Sequence, residues 1–156
     1  MSVDPKEFRR ALGSFASGVT VVAAEVGGTI HGMTASAFIS VSMDPPLVLV
    51  SVARTAHLHP IVAQSGAYTV SVLAAHQAPL SNHFAGRPDP ALAINWRRTP
   101  TGAPVLADVL TTIDCTLVQA IEAGDHTLYV GQVLGVAVQD GEPLTYFRGR
   151  YGSVLP

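Results

Sequence analysis

The chain has 156 residues, the length of one ordinary domain covering 1–156, since domains commonly hold roughly 100–200 residues. Nine Lys or Arg stand against eleven Asp or Glu, a net charge of -2; with no basic excess to neutralise phosphates, an electrostatic nucleic-acid binder is excluded. Hydrophobic residues make up 48% and charged residues 13%, with a mean hydropathy of +0.36; that excludes intrinsic disorder and implies that some apolar surface is hidden in a partner.

Asp4 can cap a short first helix, with Pro5 at its first position and Glu7 in its first turn. Phe8, Leu12 and Phe15 lie at helical spacing, and Ala16, Ser17 and Gly18 should end the helix. Thr20 to Val26 reads as a strand, Gly27 and Gly28 as a hairpin turn, and Ile30 to Phe38 as the return strand. Asp44-Pro-Pro46 breaks the pattern, because consecutive prolines donate nothing to a ladder. Leu47 to Val52 reads as a buried strand, Leu58 to Gln64 as a short helix stopped by Gly66, Tyr68 to Leu73 as a strand, and Gln77 to Phe84 as a helix.

Residues 85–104 carry Gly86, Pro88, Pro90, Pro100, Gly102 and Pro104, the one long irregular segment. Thr111 to Ala123 and Thr127 to Gln139 are long strands joined by Gly124, Asp125 and His126, and Pro143 to Phe147 is a last short strand. Strands follow one another through short turns without regular strand–helix alternation. That predicts a mostly antiparallel β barrel with peripheral α-helices and argues against a doubly wound sheet.

The lone cysteine, Cys115, excludes an intramolecular disulfide and a multi-cysteine metal site. It shares an apolar face with Ile113 and Leu117, which predicts a buried, inert thiol. The polar N-terminus is not that of a signal peptide, and no apolar run reaches the 18 or so residues of a membrane span. The expected compartment is the cytoplasm.

Five stretches can carry chemistry. Gly32-Met-Thr-Ala-Ser-Ala37 is a strand of small residues, as found where a ligand approaches closely or where a barrel corner packs tightly. Ser51-Val-Ala-Arg-Thr-Ala-His57 places Arg54 and two hydroxyls between a strand and a helix start, a setting for an anion or for a solvated turn. Leu80-Ser-Asn-His-Phe-Ala85 offers Ser81 and Asn82 to a phosphate or sugar, or simply ends a helix. Gly124-Asp-His126 sets a titratable imidazole in a tight link. Arg148-Gly-Arg-Tyr151 offers a ring for stacking, or a tail packed on the core. Dinucleotide, P-loop, zincin and nucleophile-elbow motifs are all missing, and His57, His59 and His83 make only a weak metal set. With no carboxylate or thiol placed as a nucleophile, the chemistry belongs to a cofactor.

In joint order, these stretches resemble the short-chain flavin reductases, which supply reduced flavin to two-component monooxygenases. The resemblance runs from Phe8-Arg-Arg-Ala-Leu-Gly-Ser-Phe-Ala-Ser-Gly-Val-Thr-Val-Val22 through Gly32-Met-Thr-Ala-Ser-Ala-Phe38 and Asp44-Pro-Pro-Leu-Val-Leu-Val50. It continues through Leu80-Ser-Asn-His-Phe-Ala85 and Gly124-Asp-His126 to Pro143-Leu-Thr-Tyr-Phe-Arg-Gly-Arg-Tyr-Gly152. It implies a six-stranded antiparallel Greek-key split barrel of the FMN-binding type, and a homodimer with flavin near the subunit interface. It further implies hydride transfer from NADH or NADPH to FMN or FAD, with a partner monooxygenase taking the reduced flavin.

By the same resemblance, Thr34, Ala35 and Ser36 lie along the isoalloxazine ring. Ser51, Val52, Ala53, Arg54 and Thr55, with His57, hold ribityl and phosphate. Ser81, Asn82 and Phe84 are phosphate-side positions. His126 contacts flavin and nicotinamide and is the catalytic candidate, and Tyr151 sits near the nicotinamide. A flavin carrier or sensor without turnover is the alternative. No arginine cluster for the 2′-phosphate of NADPH stands out except Arg97 and Arg98.

Overall fold

The computed structural model describes residues 2–155. Helix α1 (Pro5–Gly13) starts where the cap signals place it: the Asp4 carboxylate accepts from the Lys6 and Glu7 amides, at 2.7 and 3.3 Å. It stops at Gly13, earlier than expected, because Ser17–Gly18 is drawn into a short strand, β1, that pairs with Thr145 and Tyr146. None of its described residues is buried, so its apolar stripe is uncovered by this chain.

Strand β2 (Thr20–Val26) and β3 (Thr29–Ala35) form the predicted hairpin; Gly27 and Gly28 both sit at positive φ, as a tight two-residue turn requires. The predicted return strand to Phe38 is not one strand. The chain breaks at Ser36 and Ala37, and β4 (Phe38–Met43) turns away to pair with β5 (Pro46–Ala53) across a turn containing a cis Asp44–Pro45 bond. Small residues without branched side chains allow that corner.

Helix α2 (Leu58–Ser65) ends at Gly66, whose left-handed φ of 68° closes the last turn. Strand β6 (Ala67–Val72) follows, then a single 3₁₀ turn and helix α3 (Ala78–Phe84). The segment expected to be irregular holds a small hairpin, β7 (Trp96–Arg98) and β8 (Pro104–Leu106). Two 13-residue strands, β9 (Thr111–Ala123) and β10 (His126–Val138), turn at Gly124 and Asp125. A last hairpin, β11 (Thr145–Phe147) and β12 (Arg150–Gly152), completes a three-stranded sheet with β1.

The principal sheet is antiparallel, in the order β3-β2-β6-β9-β10-β5-β4. The mostly β, antiparallel barrel architecture expected from the sequence is therefore what forms. Its main sheet counts seven strands, because the chain after the break at Ser36 and Ala37 forms a further strand, β4, over residues where none was expected beyond Phe38. Alternate residues of β5, Val48, Val50 and Val52, point inward with Val22, Val70, Tyr68 and Tyr129. The other face of β2, through Val19 and Val21, is buried against Leu106, Leu144 and the flank of α3.

Cys115 is fully buried beside Tyr68, and burial, with the charge of Asp114 adding to it, pushes its thiol up to about 12. Buried Asp114 accepts from the hydroxyls of Thr99 (2.8 Å) and Thr101. With the bidentate Arg98–Glu25 pair, this pins the small hairpin against the barrel. The Tyr68 hydroxyl donates to the Tyr129 carbonyl at 3.0 Å.

Gly131 lies under that hydroxyl: a Cβ there would meet the Tyr68 oxygen at 2.6 Å and Cys115 Cβ at 2.8 Å. Gly131→Ala is expected to destabilise the fold by about 1–3 kcal/mol through overpacking. Gly135→Ala, in open space on the same strand, should stay within about 0.5 kcal/mol. Denaturant unfolding of both variants checks the pair; equal midpoints would contradict this packing.

Candidate functional site

The break at Ser36 and Ala37 sits between two groups of the sequence-derived site residues. On one side, β3, α3 and the final hairpin converge. The Thr34 hydroxyl donates to the Ser81 carbonyl at 2.6 Å, fastening β3 to α3. The Tyr151 hydroxyl lies 2.7 Å from Ser81 Oγ and donates to Asn82 Oδ1 at 2.9 Å. These residues wall a small cavity of about 180 Å³, shared by Thr34, Ser36, Ser81, Tyr146 and Tyr151. The rings of Tyr146 and Tyr151 are tilted against each other at 5.6 Å.

On the other side lies the end of β5. The Ser51 amide donates to the Ala37 carbonyl at 3.1 Å, which ties this strand to the same corner. Val52 is fully buried in the barrel and contributes backbone alone. Ala53 pairs with His126, and the Arg54 amide donates to the Asp125 carbonyl at 2.9 Å. So the end of β5, from Ser51 to Thr55, and the Gly124-Asp-His126 turn lie side by side. From Ser51 to Ala53 is two strand steps, about 7 Å.

Ala35 is buried, its carbonyl accepting from the Thr20 hydroxyl at 2.7 Å. Phe84 faces elsewhere: its ring packs on Gly32, where a Cβ would meet it at 2.7 Å, and lies edge-on to Trp96 at 5.8 Å. A glycine in β3 thus makes room for an aromatic ring of α3.

Donor chemistry at the corner suits an anionic, ring-bearing ligand. Among the described residues, the side chains of Ser36, Ser51, Arg54, Thr55 and His57 make no hydrogen bond or ion pair to the protein. They remain available, the guanidinium able to grip a phosphate with two parallel donors. Asp125 holds His126: its Oδ1 lies 2.7 Å from Nδ1. That hydrogen bond, and next the imidazole's charge, hold the Asp125 carboxyl below the ordinary carboxylate range. In the neutral imidazole that gives Nδ1–H to Asp125, Nε2 is the accepting nitrogen; in the protonated ring both nitrogens donate.

The remaining imidazoles are engaged with the polypeptide. His59 Nε2 lies 2.8 Å from the Thr127 hydroxyl, and His83 Nδ1 accepts from the Asp89 amide at 3.0 Å. No three His, Cys, Asp or Glu side chains gather for a metal among the described residues. Arg98 is taken up by Glu25, so Arg97 and Arg98 do not form an open pair. Sequence reasoning missed Tyr146 as a wall of the cavity, and it missed the Asp114 latch. An aspartate between Ile113 and Cys115, in an otherwise apolar run, was the available signal for the second.

With this geometry in hand, the wider relationships of the chain are specific. Residues 12–155 match the flavin reductase like domain. An NADH-dependent flavin reductase of Rhodococcus sp is 46% identical, the match covering 97% of this chain and 88% of that one. The reductase component of 4-hydroxyphenylacetate 3-monooxygenase from Thermus thermophilus is 43% identical, covering 95% of each. Among solved structures, the flavin reductase PheA2 in its native state superposes with a TM-score of 0.95 at 40% identity, covering 99% of this chain and all of that one. The chain belongs to the flavin reductase like family.

Proposed function

We propose that this protein is an NADH-dependent flavin reductase that reduces FMN or FAD by hydride transfer and hands the reduced flavin to a partner monooxygenase. One observation carries the assignment of residues. The corner at Ser36 and Ala37 is bonded to the end of β5, where the side-chain donors of Ser51, Arg54 and Thr55 are unpartnered among the described residues. The family membership supports the reaction, and the Thermus relative, a monooxygenase reductase component, supports the kind of partner.

Flavin supplies the electron chemistry when bound. The chain's own residues position it. Thr34, Ala35 and Ser36 line the ring, Ser36 with a free hydroxyl and Thr34 with its hydroxyl held by Ser81, while Ser51, Arg54, Thr55 and His57, with the backbone of Val52 and Ala53, hold ribityl and phosphate. Ser81 and Asn82 act through Tyr151, whose hydroxyl they fix. Phe84 shapes β3 from behind. His126, oriented by Asp125, presents Nε2 to the pyridine nucleotide. A lone buried thiol and a requirement for NADH suit the reducing cytoplasm; no helix among the described residues is long and apolar enough to cross a membrane.

The active unit is a homodimer in this reading. Met43 is 92% exposed, Phe15 83% and Val138 73%, in company with Ile39, Val41, Leu134 and Val136. Beyond Gln132, β10 has lost its β5 neighbour and pairs with β9 alone. Apolar side chains on such an open edge need cover. Light scattering should give twice the mass of one chain, and Val136→Asp should shift it toward the monomer; a monomeric parent chain would overturn this.

NADH oxidation with added FMN, FAD or riboflavin tests the reaction. Stimulation by FMN or FAD is expected, and flavin binding without turnover would replace the reductase by a carrier. Arg54→Ala should raise the flavin Kd roughly 10- to 100-fold, as loss of a charge-assisted contact does. His126→Ala should raise the KM for NADH and leave the flavin Kd nearly unchanged; identical kinetics across a cofactor titration would remove that role.

A further inference from the structure

Helix α2 is seated on the barrel in two different ways. Leu58 and Val62 are buried in the core with Val52, Tyr68 and Tyr129. Apolar burial of this kind is non-directional. His59 adds direction. Its carbonyl accepts from the Tyr129 hydroxyl at 2.7 Å, and its Nε2 lies 2.8 Å from the Thr127 hydroxyl. Its ring is tilted against that of Tyr129, with centroids 5.6 Å apart. Thr127 and Tyr129 are alternate residues of β10 and both are buried, so one face of the strand presents both hydroxyls. Burial raises the Tyr129 phenol above its ordinary value, which keeps the hydroxyl a donor. The helix has no cap of its own, because the His57 side chain makes no capping bond. Its first turn is held instead by residues 68 and 70 positions away in the chain.

These bonds bear on the four residues that precede the helix. Loop 54–57 leaves β5 at Ala53, which pairs with His126, and the Arg54 amide donates to the Asp125 carbonyl at 2.9 Å. Within the loop, the Ala56 amide donates to the Ala53 carbonyl at 3.0 Å, and the His59 amide to the Ala56 carbonyl at 3.1 Å. The loop is thus fastened at its entry to Asp125 and His126, and at its exit to Thr127 and Tyr129. Between those fastenings Arg54, Thr55 and His57 are exposed. A loop held at both ends has little freedom left to lose when a ligand binds, and such preorganisation raises affinity without adding a contact.

We propose that His59 and Tyr129 are positioning residues for the flavin phosphate. They act through loop 54–57, holding Arg54 and Thr55 in place to receive it. This rests on the reading of Arg54 and Thr55 as phosphate donors above. The stretch assigned to the isoalloxazine ring, Thr34 to Ser36, lies outside the fastened loop. Loosening the loop therefore costs affinity at the phosphate and not at the ring.

Dissociation constants for FMN and for riboflavin, which lacks the phosphate, are measured by fluorescence on the full chain, beside denaturant unfolding. The parent is compared with Tyr129→Phe, His59→Phe/Thr127→Val, His59→Gln and Arg54→Ala. Tyr129→Phe should raise the FMN Kd roughly 3- to 10-fold, as loss of one neutral hydrogen bond does, and leave the riboflavin Kd within about twofold. The double variant removes both partners of the second bond and leaves neither unpaired, so its stability should stay near the parent's while its FMN Kd still rises. His59→Gln offers an amide to the Thr127 hydroxyl and should recover much of the FMN affinity lost in the double variant. FMN and riboflavin affinities that fall together, an FMN Kd that moves only in step with stability, or an FMN Kd unchanged in Tyr129→Phe and the double variant would each overturn the proposal. Arg54→Ala should by itself remove most of the preference for FMN over riboflavin. A preference that survives it would instead sink the phosphate reading of the loop, whatever the other variants do.

Discussion

The chain passes from one edge of the main sheet to the other at Ser36 and Ala37, and the Ser51 amide, donating to the Ala37 carbonyl, ties that crossing to β5. The two edges of the main sheet, β3 and β4, are consecutive in the chain and separated by only Ser36 and Ala37. A sheet whose edge strands follow one another directly must curl until those edges meet. The corner is consequently the one place where β3, β4 and β5 are forced together. Ser36 and Ala37 are small and exposed there, next to a buried Ala35. A ligand laid against this corner reaches donors from both halves of the barrel at once.

The strand pattern was legible because both faces of β2 and the inner face of β5 are buried, and burial writes period-two alternation or continuous apolar runs. The turn at Gly27 and the stop at Gly66 were legible for a different reason: positive φ selects glycine. The corner itself was misread as strand interior. Gly32 to Phe38 contains no proline and no polar cluster, so no local signal marks a chain that leaves one ladder and enters another. Strands β8 and β12 are three residues each, too short for periodicity to register. As for the candidate site, its residue types were readable one stretch at a time. Their assembly depends on the β5–β10 register, which brings Ala53 opposite His126 across more than seventy residues of chain, and only the fold supplies that.

The barrel is rigid where the site needs it to be. Tyr68 spans from β6 to β10 through its hydroxyl, and burial raises its phenol above the ordinary value, with Cys115 adding to the effect, so it stays a neutral donor. Asp114, the buried carboxylate, is consumed by two threonine hydroxyls and holds the hairpin of β7 and β8. Each buried polar group is thus satisfied within the frame and offers nothing to a ligand. The side chains of Ser36, at the corner, and of Ser51, Arg54 and Thr55, at the end of β5, are by contrast unpartnered within the described chain.

Hydride transfer asks little of charged side chains: it needs two ring systems held in register and water kept away. A barrel with only 13% charged residues meets that demand. Few of its nine cations are engaged with carboxylates. Arg10 and Arg98 are neutralised by glutamates and belong to the surface and the frame. Arg54, Arg148 and Arg150 are not paired within the described chain. Each stands where a strand runs out: Arg54 follows β5, Arg148 is the turn after β11, and Arg150 opens β12. Backbone ladders end at such places and side chains face outward, so an anion can be gripped there without burying an unpaired charge.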